Sequence, residues 1–182
     1  LGGKITYKKR VEKIIVENNK AKGVILTDGT KIAADYVIGA ADGYSTIYKM
    51  LEGKYVSKEI DHAYKNWELF TPLVQVSFGI NKQIESGAPI IVVNNKHLSI
   101  GQTKLDAGFS VMNYAFDSTM APEGKTAIVM RYESPWELWK NIDGEAYQKE
   151  KIQIEKDAIE KLEIVYPGIS EFIEVIDIAT PK

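Results

Sequence analysis

The fold of the first part of the chain is decided by residues 11–38, which read VEKIIVENNKAKGVILTDGTKIAADYVI. Short runs rich in Val and Ile alternate there with two turn-forming pairs, Asn18-Asn19 and Asp28-Gly29. Both pairs tolerate the positive φ angles that tight hairpin turns require. The stretch therefore predicts an antiparallel meander, and we expect its strands at residues 4–7, 11–17, 23–26 and 31–38.

Small residues end this meander, at Ala40-Ala41-Asp42-Gly43. Short side chains let another group approach the backbone closely, so this turn is a candidate contact point. A short helix is expected at residues 45–51, because its apolar residues share one side. A polar connector with some helix follows, to about residue 65.

The second half of the chain predicts a larger sheet and one long helix. Apolar residues alternate strictly in Val74-Gln75-Val76-Ser77-Phe78-Gly79-Ile80, which indicates a strand with one buried face. Over residues 145–166 they recur at helical spacing, and Pro167-Gly168 then favours a helix end. The predicted class is α+β, with a small antiparallel meander followed by a mixed sheet and a long C-terminal helix. Further strands are expected at residues 89–93, 109–116, 126–132 and 174–179.

Composition excludes several classes of function. The chain has 182 residues, of which 45% are hydrophobic and 26% charged, so it can bury a core. A net charge of −2 gives no bulk attraction for nucleic acid, and the lack of cysteine excludes disulfides and thiolate metal sites. No apolar run approaches the roughly 20 residues of a membrane span. We expect a cytoplasmic location, with peripheral attachment to a membrane as an unsupported alternative.

Motifs for common chemistries are missing from the sequence. The two histidines, His62 and His97, have no partner at metal-ligand spacing, so no metal site is expected. The chain also lacks the G-x-S-x-G elbow, the P-loop and the G-x-G-x-x-G turn. No catalytic residue is therefore assigned from the sequence.

Aromatic residues are the most suggestive side chains of the second half. Trp67, Phe78, Tyr114 and Tyr132 are candidates for the lining of an apolar ligand cavity, although core packing is the favoured role for such residues. Arg131 is one of two arginines and lies in the middle of a predicted strand. It either forms a structural ion pair or anchors an acidic group of a ligand, and we favour the ion pair.

Several sequence motifs of the chain resemble those of the superfamily of flavoprotein amine oxidases and phytoene desaturases. The first half reads Gly-Gly at 2–3, V-x-x-I at 11–14, G-V-x-L-x-D-G at 23–29 and A-D-x-V-I at 34–38. Residues 117–125, DSTMAPEGK, look like the D-P-S-x-A-P-x-G loop of the desaturases, with serine where proline is usual. This loop favours the phytoene-dehydrogenase-like branch over the monoamine oxidases.

The resemblance implies two domains and a flavin. Residues 1–43 would belong to an FAD-binding domain, and residues 53–182 to a substrate domain that is incomplete at its C-terminal end. In this family the backbone at Val11 would contact the adenine of FAD, and the turn at Ala40, Ala41 and Asp42 would lie near the dinucleotide. Because the G-x-G-x-x-G turn is missing, we do not expect this chain alone to retain FAD.

The chain is accordingly interpreted as an internal fragment of an FAD-dependent oxidoreductase, inactive by itself. The resemblance implies a desaturase, dehydrogenase or isomerase of a small apolar, isoprenoid-like substrate, with hydride transfer to FAD in the full-length protein. Two alternatives stay open, a non-catalytic domain that binds a ligand or partner, and an amine oxidase. The sequence indicates neither the substrate's identity, nor the electron acceptor, nor the oligomeric state.

Overall fold

The computed structural model of the chain describes residues 2–85 and 87–182. Contacts divide them into two compact units, Leu1–Leu69 and Phe70–Lys182. We call these the first unit and the second unit. The predicted domain division, at residues 43 and 53, was drawn from the family resemblance and stays a prediction.

The first unit contains a three-stranded antiparallel meander, as predicted. Its strands are β1 (Val11–Glu17), β2 (Lys20–Leu26) and β3 (Lys31–Ala33), in the order β1-β2-β3. Asn18 and Asn19 both have positive φ, at 50° and 60°, and this conformation closes the two-residue hairpin between β1 and β2. In the next turn the carboxylate of Asp28 accepts a hydrogen bond from the Thr30 N–H (3.0 Å).

Two predicted parts of the meander are wrong. Residues 4–7 form no strand, and β3 ends at Ala33 instead of residue 38. Ile5 and Ile38 are largely exposed, at 78% and 91% of their surface. A strand persists only where a neighbouring strand takes up its backbone hydrogen bonds, and apolar alternation alone does not reveal whether such a neighbour exists.

Two helical segments complete the first unit. The segment Ser45–Met50 has a π-helical hydrogen bond at its end, where the Leu51 N–H donates to the carbonyl of Thr46 (3.0 Å). Helix α1 (Lys58–Asn66) begins at Ser57, whose hydroxyl oxygen accepts a hydrogen bond from the Ile60 N–H (3.3 Å). Both lie where the sequence predicted helix.

The second unit contains seven strands, β4 (Leu73–Ile80), β5 (Ile90–Val93), β6 (Ser99–Ile100), β7 (Thr103–Lys104), β8 (Phe109–Asn113), β9 (Thr126–Glu133) and β10 (Ile173–Ala179). The strands β6 and β7 form a small two-stranded ribbon, and the other five form a sheet of order β10-β4-β9-β8-β5. All four strand pairs in it are antiparallel, although the sequence predicted a mixed sheet. Hydrophobic patterning reveals which residues face the core but not the direction of the neighbouring strand.

Helix α2 (Gly144–Val165) covers one face of this sheet and creates the core. Ile154, Ala158 and Leu162 are fully buried, as the helical spacing predicted. They share one hydrophobic cluster with the inward residues of β4 and β9, such as Val76 and Met130. Gly168 follows the helix with a φ of +81°, a conformation that suits glycine, and the chain then turns back toward β10. The α+β class and the long helix are thus confirmed.

Candidate functional site

The turn after the meander is exposed and carries one charge. The side chains of Ala40, Ala41 and Asp42 are all exposed. The carboxylate of Asp42 accepts a hydrogen bond from the Ser45 N–H (2.7 Å), and the Asp42 carbonyl accepts one from the Thr46 N–H (2.9 Å). The bond from Ser45 lowers the pKa of Asp42 below its usual range. The turn therefore presents two methyl groups and an ionised carboxylate.

These features fit part of a dinucleotide. The small side chains at residues 40 and 41 leave the backbone open to a flat group. The ionised carboxylate of Asp42 would repel a diphosphate but is suited to accept hydrogen bonds from ribose hydroxyls. Val11 is the first residue of β1, where it pairs with Leu26 and is partly exposed. The FAD contacts of Val11, Ala40, Ala41 and Asp42 stay predictions.

An apolar surface depression lies beside α1 in the first unit. Its volume is about 480 Å³. Trp67, which follows the last residue of α1, is 74% exposed and borders it. The other lining residues are Glu59, Ile60, Ala63, Tyr64, Glu68 and Leu69. Of the four aromatic candidates, Trp67 alone belongs to this unit.

Phe78 and Tyr132 lie in the core of the second unit, where each is only 2% exposed. Both point to the face of the sheet that α2 covers. Burial raises the pKa of the Tyr132 phenol, and the charges of Glu150 and Asp157 raise it further. The structure thus gives these two aromatic residues a packing role, which is the role that the sequence favoured.

The opposite face of the same sheet is not covered by α2, and we call it the open face. Its residues alternate with the core residues along each strand, and most of them are partly exposed. Cross-strand pairing arranges them in rows, as in Ser110–Arg131–Gln75 and Met112–Val129–Ser77. The open face contains Leu73, Gln75, Ser77, Gly79, Ile90, Val92, Ser110, Met112, Ala127, Val129, Arg131, Glu133, Val175, Asp177 and Ala179.

Arg131 lies on the open face, in the third of five adjacent strands. Its Nε donates a hydrogen bond to the side-chain oxygen of Gln75 (2.8 Å). Among the residues that the structure describes, no carboxylate lies within 4.0 Å of its guanidinium nitrogens. The ion pair favoured by the sequence analysis is therefore wrong, and a neutral partner holds this side chain.

Tyr114 is the aromatic candidate that borders a cavity in the second unit. It follows β8 on the side of the open face, and its hydroxyl lies 3.8 Å from the sulfur of Met112. The cavity, of about 310 Å³, separates it from the desaturase-like loop at residues 117–125. Asp117 shapes this loop by accepting hydrogen bonds from the N–H (2.9 Å) and hydroxyl (2.7 Å) of Thr119. The hydroxyl bond is the main cause that lowers the pKa of Asp117.

The structure does not bring the aromatic candidates of the second unit together. Phe78 and Tyr132 point to one face of the sheet, and Tyr114 lies on the other. The sequence analysis missed Gln75, the hydrogen-bond partner of Arg131. A signal for it was present, because the polar positions between the buried residues of a strand define the opposite face.

Residues 2–85 and 87–182 contain no cluster of three or more potential ligand side chains that could hold a metal ion. Within the same residues, no helix combines the length and the apolar character needed to cross a membrane.

Comparison with known proteins gives matches along the whole chain. No family model matches the sequence. It is 27% identical to prolycopene isomerase of Daucus carota and 25% identical to that of Arabidopsis thaliana, in each case over all of this chain and 30% or 31% of the relative. It is 26% identical to the 4,4'-diapophytoene desaturase of a Methylomonas species, over all of this chain and 37% of that protein. The chain thus spans about a third of the length of these relatives.

One solved structure supports the fold. A protein of Pyrococcus furiosus superposes with a TM-score of 0.55 and 17% sequence identity, over 96% of this chain and 37% of that protein. This similarity concerns the fold alone. The isomerase and desaturase matches include the motifs at residues 2–38 and 117–125. The matches confirm that the chain is similar to a segment of the phytoene-desaturase-like oxidoreductases.

Proposed function

We propose that this chain is part of an FAD-dependent oxidoreductase that desaturates, dehydrogenates or isomerises an apolar isoprenoid substrate. The observation that carries the proposal is the match of the entire chain to both carotenoid isomerases and a carotenoid desaturase. The desaturase-like loop at residues 117–125 supports the same assignment. FAD, when bound, would accept a hydride from the substrate.

The open face is proposed as a wall of the substrate cavity. It offers small and apolar side chains, such as Val129, Met112 and Ala127, on a rigid five-stranded sheet. Sites for apolar ligands are lined mainly by such side chains, with a few polar groups that fix orientation. Tyr114 extends this wall toward the loop at residues 117–125. Trp67, which belongs to the first unit, stays a proposed lining residue for an apolar ligand.

The first unit is proposed to contribute to FAD binding through Val11, Ala40, Ala41 and Asp42. The exposed methyl groups and the ionised carboxylate of the turn support this role. Because these residues supply no cradle for a diphosphate, we expect the 182-residue chain to be colourless after purification. Visible absorbance of a flavin that copurifies with it would contradict this expectation.

The proposed activity is tested on the complete polypeptide that contains this sequence. It should bind FAD and convert prolycopene or 4,4'-diapophytoene, with products separated by chromatography and identified from their polyene absorbance. Isomerisation leaves the number of double bonds unchanged, whereas desaturation lengthens the conjugated system. Oxidation of primary amines without conversion of either polyene would contradict the proposal and favour the amine oxidase alternative.

A further inference from the structure

The open face carries a single cationic side chain. Its other residues are small, apolar or uncharged, except for the carboxylate of Asp177 on β10 and that of Glu133 at the end of β9. Arg131 lies between Ser110 of β8 and Gln75 of β4 in one cross-strand row. A guanidinium on a mostly apolar face is a specific feature, because packing does not require it there.

The guanidinium is oriented but not neutralised. Gln75 accepts one hydrogen bond from Nε (2.8 Å) and is uncharged. The two terminal nitrogens make no hydrogen bond to any residue that the structure describes. Arginine presents five N–H donors in a planar fork, so most of its donors stay available to an external acceptor.

The nearby carboxylates do not serve as that acceptor. Glu133 lies two residues after Arg131 and opposite Leu73, and Asp177 lies two strands away, opposite Ser77. Neither forms an ion pair with Arg131 in the structure. The described residues therefore provide no carboxylate partner for the guanidinium.

Apolar side chains extend from Arg131 toward one edge of the sheet. Ser110, its neighbour on β8, pairs with Val92, and the adjacent row joins Val129, Met112 and Ile90. Since adjacent strands are about 4.8 Å apart, this apolar strip is roughly 10 Å wide. It fits a hydrocarbon chain that lies across β8 and β5 with one end at Arg131.

We propose that Arg131 binds a carboxylate at the end of an otherwise apolar isoprenoid ligand of the open face. The charge of the guanidinium and the apolar strip beside it match the two parts of such a molecule. This inference rests on the proposed function, because it takes the open face as the ligand wall. It adds a second ligand class, isoprenoid polyenes that carry an acidic end, to the hydrocarbons of the proposed function.

The test compares two probes on the complete polypeptide. All-trans-retinoic acid and all-trans-retinol share one isoprenoid polyene and differ in their polar end, and tryptophan fluorescence titration at neutral pH gives both dissociation constants. The wild-type protein should bind the acid about tenfold more tightly than the alcohol, since hydrogen bonds to charged groups are the stronger ones. R131M should reduce this ratio to about one, mainly by weakening the binding of the acid.

Two further variants test the role of the guanidinium with side chains of similar length. R131K should retain part of the preference, because lysine keeps the charge and loses the fork. Q75E should lower the affinity for the acid, since the new carboxylate would neutralise Arg131 in place. R10M, which removes the other arginine of the chain, should leave the ratio unchanged.

The outcomes separate this inference from the proposed function. If the wild-type protein binds both probes equally, or if R131M and Q75E keep the tenfold preference, the role of Arg131 is refuted and the open face can still be a ligand wall. If the wild-type protein binds neither probe, the role of Arg131 is likewise refuted, and the proposed function is judged separately by conversion of prolycopene or 4,4'-diapophytoene. Circular dichroism of each variant confirms that the fold is intact.

Discussion

At the scale of single residues, Tyr132 shows how a polar group can be buried without a partner. Its ring lies in the core of the second unit, and its hydroxyl makes no hydrogen bond to any described residue. A buried polar group without a partner costs free energy, because its hydrogen bond to water is lost. The ring stabilises the fold through packing, whereas the buried hydroxyl destabilises it.

Removing this hydroxyl should not destabilise the protein. We expect the free energy of unfolding of Y132F to be equal to that of the wild type or higher by up to about 1 kcal/mol. Y132A, the control, should lose about 3–5 kcal/mol because it leaves a cavity. Urea denaturation followed by circular dichroism measures both values. A loss of more than about 1 kcal/mol in Y132F would mean that the hydroxyl is hydrogen-bonded in solution.

Residue patterns predicted the core better than they predicted the site. The alternation over residues 74–80 correctly assigned Val74, Val76, Phe78 and Ile80 to the interior, because burial follows directly from apolar character. The pairing of Arg131 with Gln75 joins residues 56 positions apart, and it depends on which strands are neighbours. Strand order is a property of the whole sheet, so no local pattern could supply it.

At the scale of elements, a glycine of β4 makes room for a side chain of β10. Gly79 faces Val175 across the two strands, and a Cβ atom at residue 79 would lie 2.5 Å from a methyl carbon of Val175. This distance is far below van der Waals contact. The absence of a side chain at Gly79 therefore leaves room for the side chain of Val175.

The variant G79A should be destabilised by about 1–3 kcal/mol, the usual cost of overpacking. V175A alone should cost less than about 1 kcal/mol, because this side chain is 61% exposed. In the double variant, the alanine at residue 79 should cost clearly less than in the wild type, since the blocking methyl group is gone. Thermal and urea unfolding of the four proteins completes this double-mutant cycle. If the free energy lost in the double variant equals the sum of the losses in G79A and V175A, the proposed contact between residues 79 and 175 is contradicted.

Element boundaries were predicted less well than element types. The sequence placed α2 and β4 within a residue or two of their ends, because Gly168 and the alternating pattern mark them. It failed at residues 4–7 and 34–38, where β-prone residues have no partner strand in the described structure. The propensity of a short segment for β structure is realised only when another strand pairs with it.

At the scale of the whole molecule, the buried apolar residues are distributed unequally between the two units. Among the described residues of the first unit, the buried hydrophobic side chains are those of Ile14 and Leu26. The second unit contains a continuous core that joins the five-stranded sheet with α2. Because burial of apolar surface is the main source of stability, the two units should differ in their ability to fold alone.

We therefore expect residues 70–182, expressed alone, to fold and to unfold in a single cooperative transition in urea, whereas residues 1–69 should not. Dispersed amide resonances in a two-dimensional NMR spectrum would identify the folded unit, and circular dichroism would record the transition. A three-stranded meander with two buried apolar side chains gains too little from burial to offset the conformational entropy of its chain. A cooperative transition of residues 1–69, or its absence in residues 70–182, would show that this distribution of buried surface does not determine stability.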